Sequence, residues 1–542
     1  MRQKPRTKCS GGLFHNGPNP MRAIDYFDKQ SEITPNRIAL IDGEKRHTYE
    51  DLRQASQKIA RAMHAAGLRG EEPVAIYSTN DARVLFCMLG LLRAGGVWVP
   101  INYRNAADAN VEYLNYVRTK WLFYHSNFRD HAKELKQRVP TLRHLMCIDA
   151  PDNENPSLEE FMQQGAATDD HDTSNAHGNP DRLVGLVPTG GTTGPAKGVR
   201  VNTLSWGTMT EMASHYWRGD TENPVCLSVA PLSHAAGVVA FAMFTIGATN
   251  VIMPGFDALK VLQNIERFRV THLFLPPTAF YGLLSHPDVR KFDYSSLRVF
   301  LLAASPVSPD KLKQGIEIFG PCMCQSYGQT EAPMLLTFLD QKTLAAAVAG
   351  DHPERLKSCG KPTSAVRLAI MDDQGRLLPP GEAGEIVARG SLVTAGYYEL
   401  PEATAEIRAH NWHHTGDVGY RDEDGFFYIV DRKKDMIISG GFNVYSAEVE
   451  AAIMALPQVH ECAVIGVPDA KWGEAVKALV VLREGQSLTE REILDHCKTK
   501  LGGFKSPKSA TFVQEIAKTP AGKIDRKLLR KPYWTNTDRA VH

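Results

Sequence analysis

Apolar and polar positions along this chain repeat on two periods. Short apolar runs bounded by turn residues read as buried strands: Leu40-Ile41 before Asp42-Gly43, Val74-Ala75-Ile76-Tyr77, Val97-Trp98-Val99-Pro100, Trp121 to His125 and His144 to Asp149. Helical patterns lie between them. One covers Met21 to Gln30, a long amphipathic one runs from Tyr49 to about Ala66, and a mostly apolar one runs from Asp81 to Ala94 and ends at Gly95-Gly96. Strand and helix alternating at these intervals predict a parallel sheet covered on both faces.

Residues 150–180 are polar, with Pro and Gly at both ends, and predict a solvent-facing connection around one short helix, separating two α/β lobes. The second lobe is expected to start at the strand Leu183 to Val187 and to continue through strands at Val225–Val229, Asn250–Met253, Thr271–Leu275 and Arg298–Ala303. Val366–Met371 and Gly384–Ala388, around a Gly/Pro turn, predict antiparallel pairing and a small β unit that closes the large domain. Texture changes again near Asp431. Beyond the charged segment come a strand (Met436–Ser439), a helix (Ser446–Leu456), strands at Ala463–Val467 and Lys477–Val481, a helix opened by a capping box of Ser487 with Glu490, and a strand at Thr511–Gln514. The predicted organisation is a flexible arm (1–20), a large α/β domain (21–431), a hinge (432–435), a small mobile α+β domain (436–534) and a tail (535–542).

Composition narrows the classes. A formal net charge of +1 gives no electrostatic case for nucleic acid. The nine cysteines are scattered, and only Cys322 and Cys324 are close, without zinc-site or redox-motif spacing, which suggests buried thiols in a reducing, cytoplasmic setting. The basic N-terminus lacks an apolar core, so no signal peptide is expected, and apolar stretches such as Val84 to Leu92 are too short to span a bilayer.

Five segments could carry chemistry. Residues 189–198, Thr-Gly-Gly-Thr-Thr-Gly-Pro-Ala-Lys-Gly, hold four glycines, three threonines and a lysine. Glycines let backbone N–H groups converge on one concavity, and the hydroxyls and the ammonium add donors, so the loop suits a polyphosphate. It is not a Walker A motif, because Lys197 neither follows a glycine nor precedes Ser or Thr. The plain alternative is a Gly/Thr-rich surface turn. In Tyr327-Gly328-Gln329-Thr330-Glu331 a glycine turn presents a ring, a hydroxyl and a carboxylate able to hold Mg²⁺, or is a structural loop. In Trp412-His413-His414-Thr415-Gly416-Asp417 the Asp sits in a Gly-bounded turn and can accept from a ribose diol, or is an Asx-turn residue. Asp431-Arg432-Lys433-Lys434-Asp435 alone reads as a solvated charge run, and Thr519-Pro520-Ala521-Gly522-Lys523-Ile524-Asp525-Arg526 as a basic tail.

Together, in this order and spacing, these segments resemble the adenylate-forming superfamily, and most closely its fatty-acyl and aryl carboxylate–CoA ligases, over about residues 22–532. Two departures stand out. Pro195 is displaced by one position ahead of Lys197, and Ser446 stands where proline is common. The resemblance implies ATP, Mg²⁺ and coenzyme A. It implies that Thr189, Gly190, Gly191, Thr192, Thr193, Gly194 and Lys197 cover the ATP phosphates. Thr330 would touch the α-phosphate and Glu331 would hold Mg²⁺. Tyr327, with Gly328 and Gln329, would lie against adenine opposite Ala303, Ala304 and Ser305, while Asp417 and Arg432 would bind ribose. Lys434 matches the hinge residue, Lys523 the lysine bridging carboxylate and α-phosphate, and His234 the aromatic gate. Gly440 and Gly441 would flank the pantetheine tunnel, with Trp472-Gly473-Glu474 nearby and Lys505 and Lys508 near CoA phosphates.

The implied reaction is adenylation of a carboxylate with release of pyrophosphate, then attack by the CoA thiolate after the small domain rotates. The expected acid is hydrophobic: fatty, aryl or polycyclic. Ala235, next to the gate, gives a substrate ammonium no partner, and Ala235, Ala236, Gly237, Val238, Val239 and Ala240, with Phe280, Tyr281, Cys324 and Met334, are expected to line the pocket. Transfer to a carrier protein is the alternative, although residues 331–417 show no insertion of the kind that carrier-dependent fatty-acyl ligases have. A luciferase-like monooxygenase and a non-catalytic binding module are the weaker readings. A second copy of the chain and a membrane surface supplying the acid are the partners considered.

Overall fold

The computed structural model describes residues 21–151, 154–165, 179–189, 196–233, 235–440, 442–518 and 524–534. The expected arm and tail lie outside the described residues.

Two α/β sheets carry the large domain. The first has six strands in the order His144–Cys147, Trp121–Tyr124, Pro73–Tyr77, Val97–Pro100, Leu183–Pro188 and Gly198–Asn202. All pairs are parallel except the last. The second has nine strands: Lys361–Pro362, Ala332–Leu339, Met323–Gln329, Val299–Leu302, His272–Leu275, Val225–Ser228, Thr249–Ile252, Ile38–Asp42 and Lys45–Thr48. Its central pairs are parallel and its outer pairs antiparallel.

The two-lobe expectation is therefore right in kind and wrong in where the chain divides. The strands flanking the Gly/Thr loop complete the first sheet, while Ile38–Asp42 and Lys45–Thr48 join the second. An apolar run shows that a strand is buried, not which open edge it fills. Here Val97–Pro100 offers an edge to Leu183–Pro188, with Trp98 opposite Gly185.

The main core lies between the sheets. Trp98 and Phe123 from one sheet and Leu40, Phe274 and Leu301 from the other share it with helices Tyr49–Ala65, Ala82–Ala94, Thr203–Tyr216 and Ala235–Phe244. Ala82–Ala94 is mostly apolar because most of its residues are buried, with only Arg83, Phe86 and Arg93 partly exposed. Asp81 caps its start, accepting from the Arg83 N–H at 2.8 Å. The first helix begins at Asp25, later than expected, with Asp25 and Asp28 in its first turn.

The predicted antiparallel unit is present as Val366–Met371, Gly384–Gly390, His413–Arg421 and Phe427–Arg432. The small domain is a five-stranded sheet with helices Ser446–Met454 and Glu490–Leu501. The capping box of the second helix is Thr489 with Glu492, not Ser487 with Glu490. Both pairs fit the pattern, but only the later start sets Leu488 and Ile493 at staple positions on the same apolar cluster. The eight described cysteines are free, seven of them buried. No described helix is long and apolar enough to cross a membrane.

Candidate active site

The site is built on the hairpin of Met323–Gln329 and Ala332–Leu339, joined by Thr330 and Glu331. The segment expected as a glycine turn is thus mostly strand, and only its last two residues turn. Gly328 is needed for close approach, since a Cβ there would meet the Met334 backbone nitrogen at 2.4 Å. The hairpin lies beside the carboxyl ends of the parallel strands, where α/β sheets bind ligands. Ala303, Ala304 and Ser305 follow the neighbouring strand Val299–Leu302, and Ala304 takes the left-handed φ of +80° that non-glycine residues rarely adopt.

Asp417 is the hub of the first cluster. It lies within the strand His413–Arg421, not in an Asx turn, because Gly416 (φ +69°) bends the strand without ending it. Its side chain is 7% exposed. Oδ2 accepts from the Tyr327 hydroxyl at 2.6 Å and the Gln329 amide at 3.3 Å, and Oδ1 pairs with Arg432 Nε at 3.3 Å. The Gln329 amide also donates to the Thr415 carbonyl at 3.0 Å, and its oxygen meets His413 Nε2 at 2.9 Å. Burial, then Arg408, pulls the His413 imidazole down to about 4. It is therefore neutral near pH 7, and its Nε2–H donates to Gln329. Burial and the Asp417 carboxylate push the Tyr327 hydroxyl far up, so it stays a donor. The result is an acceptor held in one orientation by three side chains.

The second cluster surrounds Glu331. Its Oε1 accepts from the Tyr397 hydroxyl at 2.7 Å, and its carbonyl accepts from the Thr394 N–H at 2.9 Å. The Lys197 ammonium sits 4.9 Å from the Tyr397 ring centroid. Thr189 and Lys197 close the base of the Gly/Thr loop, with the Thr189 N–H donating to the Lys197 carbonyl at 2.9 Å and the Lys197 N–H to Thr189 Oγ1 at 3.2 Å.

At the domain boundary, Arg432 ends the strand Phe427–Arg432 and residues 433–435 turn. Lys434 is half-buried there. Burial and Arg432 lower its ammonium's affinity for a proton, while Asp435 and Asp417 oppose that. The short helix Arg526–Arg530 reaches back to this turn. Arg530 donates to Asp435 at 3.1 Å, and Arg526 pairs with the partly buried Glu450 at 2.6 Å and approaches Asp435 at 3.9 Å. Gly440 has φ +61°, and a Cβ there would strike the Trp472 ring at 2.6 Å. Lys505 is paired to Glu448 at 2.7 Å and Lys508 donates to the Gly503 carbonyl at 2.9 Å, so both have protein partners.

The structure thus gathers Tyr327, Gly328, Gln329, Asp417 and Arg432 in one cluster and Thr189, Lys197 and Glu331 in another. Gly190, Gly191, Thr192, Thr193, Gly194, His234, Gly441 and Lys523 lie outside the described residues. The expected pocket wall needs correction. Phe280 and Cys324 are fully buried, Phe280 packing edge-on against Phe300 at 5.6 Å, and Val239 faces the core. Those positions read as apolar surface in sequence, but the core claimed them. Sequence reasoning also missed Tyr397 and assigned His413 no role. The only signals were a Gly-Tyr-Tyr after a small-residue run and a His beside the candidate Asp.

Among the described residues no cluster of three or more His, Cys, Asp or Glu could hold a metal. A lone carboxylate such as Glu331 still fits Mg²⁺, which takes one or two carboxylates together with substrate phosphates.

The AMP-binding enzyme family model matches residues 27–398, and the AMP-binding enzyme C-terminal domain matches residues 448–523. A medium/long-chain-fatty-acid–CoA ligase of Mycobacterium tuberculosis is 36% identical, covering 98% of this chain and 93% of its own. A fatty acid–[acyl-carrier-protein] ligase of Streptomyces coeruleorubidus is 32% identical, covering 98% and 99%. The solved amide bond synthetase McbA of Marinactinospora thermotolerans superposes with a TM-score of 0.84 at 28% identity, covering 95% of this chain and all of its own. The chain therefore belongs to the AMP-binding enzyme family, and is an ATP-dependent, AMP-forming acid–thiol ligase that activates a carboxylic acid.

Proposed function

We propose that the protein is a carboxylic acid–CoA ligase for a hydrophobic acid. One observation carries the reading. A single hairpin holds, through Tyr327 and Gln329, an oriented buried acceptor at Asp417, and at its tip presents the lone carboxylate Glu331. The first suits a ribose diol and the second a metal-bound polyphosphate.

In this reading Tyr327, Gly328 and Gln329 face adenine across from Ala303, Ala304 and Ser305, and Asp417 and Arg432 hold the ribose. Thr189, Lys197 and the rest of the Gly/Thr loop cover the β- and γ-phosphates, Thr330 contacts the α-phosphate, and Glu331 holds Mg²⁺. The ion, when bound, offsets charge on the phosphoryl oxygens. Lys523 bridges the carboxylate and the α-phosphate while the acid oxygen attacks phosphorus and pyrophosphate leaves. Catalysis is positioning and charge, with no covalent protein intermediate. Rotation about Lys434 then withdraws Lys523 and brings Gly440 and Gly441 to the pantetheine path, so that the thiolate can attack the acyl carbon and release AMP. His234 gates the acid site.

The names of the relatives span three acceptors: CoA, a carrier protein and an amine. CoA is favoured by the relative of higher identity and by the absence of an insertion between Glu331 and Asp417. The small domain also exposes Phe442 and Phe504, with ring centroids 5.3 Å apart, close in sequence to Gly440 and to Lys505. The test is to supply fatty, aryl and bicyclic acids with ATP, offering CoA or a phosphopantetheinyl carrier protein in parallel, and to follow products by mass. An acyl-CoA supports the proposal. Acylation of the carrier alone replaces CoA with the carrier reading.

A further inference from the structure

Tyr397 is unaccounted for by the roles above, yet it touches two of them. Its hydroxyl donates to Glu331 Oε1 at 2.7 Å, and its ring lies under the Lys197 ammonium at 4.9 Å. Tyr397 is 9% exposed and its backbone is pinned on two sides. The Tyr397 N–H donates to Thr404 Oγ1 at 2.9 Å. Its neighbours bond the strand that begins just after Lys197: Arg200 N–H to the Gly396 carbonyl at 2.8 Å, and Tyr398 N–H to the Gly198 carbonyl at 2.8 Å. The same loop bonds the Glu331 backbone through Thr394 at 2.9 Å. The phenol is thus rigid with respect to both charged groups, which come from different sheets.

We propose that Tyr397 is a positioning residue that sets the Glu331 carboxylate for the Mg²⁺–ATP complex and fixes the Lys197 ammonium beside it. The hydroxyl occupies Oε1 and leaves Oε2, which accepts no protein hydrogen bond among the described residues, as the oxygen for the ion. The aromatic face steadies Lys197 without neutralising it, as a carboxylate would. Partners that orient a metal-binding side chain in this way govern metal affinity more than fold. The inference rests on the reading of Glu331 as the Mg²⁺ ligand.

The test measures ATP binding by calorimetry as Mg²⁺ is titrated, with no acid present and hence no turnover. Parent protein, Tyr397→Phe, Tyr397→Leu, Glu331→Gln and the Glu331→Gln/Tyr397→Phe double variant are compared. Tyr397→Phe keeps the ring and should raise the Mg²⁺ concentration for half-maximal ATP binding about tenfold or more. Tyr397→Leu should in addition weaken ATP binding without metal, because Lys197 loses its platform. The double variant should shift no further than Glu331→Gln. A normal Mg²⁺ requirement in Tyr397→Phe, with Glu331→Gln shifted, overturns the role of Tyr397 alone, even where Tyr397→Phe unfolds at a lower temperature than the parent. An unshifted Glu331→Gln shows that the metal assignment itself is wrong, and the proposal fails with it.

Discussion

The carboxylate of Asp431, at the end of the large domain, accepts from both the backbone N–H and the hydroxyl of Ser446, the latter at 2.8 Å. Ser446 opens the helix Ser446–Met454, and the preceding Tyr445 offers no side-chain cap. Asp431 therefore caps a helix of the small domain from across the boundary, with its charge at the favourable helix end. Ser446→Ala should cost about 1–2 kcal/mol by chemical unfolding. Ser446→Pro removes both donors from the same buried carboxylate and should cost more, although proline is common at this position in the family. Equal stability of parent and Ser446→Pro would show that Asp431 does not depend on these donors.

The donors around Asp417 separate binding from chemistry. Asp417→Ala should raise KM for ATP on the order of 10- to 100-fold, the loss of hydrogen bonds to a charged acceptor, with less effect on kcat. Tyr327→Phe removes one of the groups that orient Asp417 and should give a smaller rise in the same direction. Steady-state kinetics with ATP varied would show it. A fall in kcat at unchanged KM would move Asp417 out of the nucleotide site.

The half-reactions should divide between two lysines. Lys523→Ala should lower acyl-adenylate formation by several kcal/mol of transition-state stabilisation, at least about 100-fold, and leave conversion of supplied acyl-adenylate with CoA largely intact. Lys434→Pro should do the reverse by stiffening the turn between the domains. Separate assays of the two steps decide this. Equal loss in both steps for either variant contradicts its assigned role.

His413 ties stability to pH. Its folded value, pulled down to about 4 by burial, lies below the unfolded value near 6.5. Between these values the unfolded chain binds the extra proton. The stabilisation is therefore fully present above about pH 6.5 and is lost as pH falls toward 4, on the order of 3 kcal/mol. His413→Gln should flatten that part of the stability–pH curve relative to the parent. Parallel curves for the two proteins would show that His413 titrates normally.

Much of the fold was legible because period and length mark strands and helices, and the parallel order follows from their alternation. Sheet membership was not legible. Ile38–Asp42 pairs with Thr249–Ile252, more than two hundred residues away, and no local pattern records that choice. The site was legible where chemistry is local, as in Tyr327 to Glu331 and in the nearness of Arg432 to Lys434. Tyr397 was not, because its meaning comes from packing against Glu331 and Lys197, both distant in sequence. The capping box at Thr489 was misread because two overlapping patterns were equally good until burial of Ile493 chose between them.

Carboxylate-dependent pyrophosphate release, over fatty, aryl and bicyclic or steroidal acids with and without CoA, tests the central claim most directly. The account predicts sustained turnover only when one class of hydrophobic acid and CoA are both present, with the thioester detected by mass. A single equivalent of pyrophosphate that stalls whether or not CoA is added would contradict CoA as the acceptor.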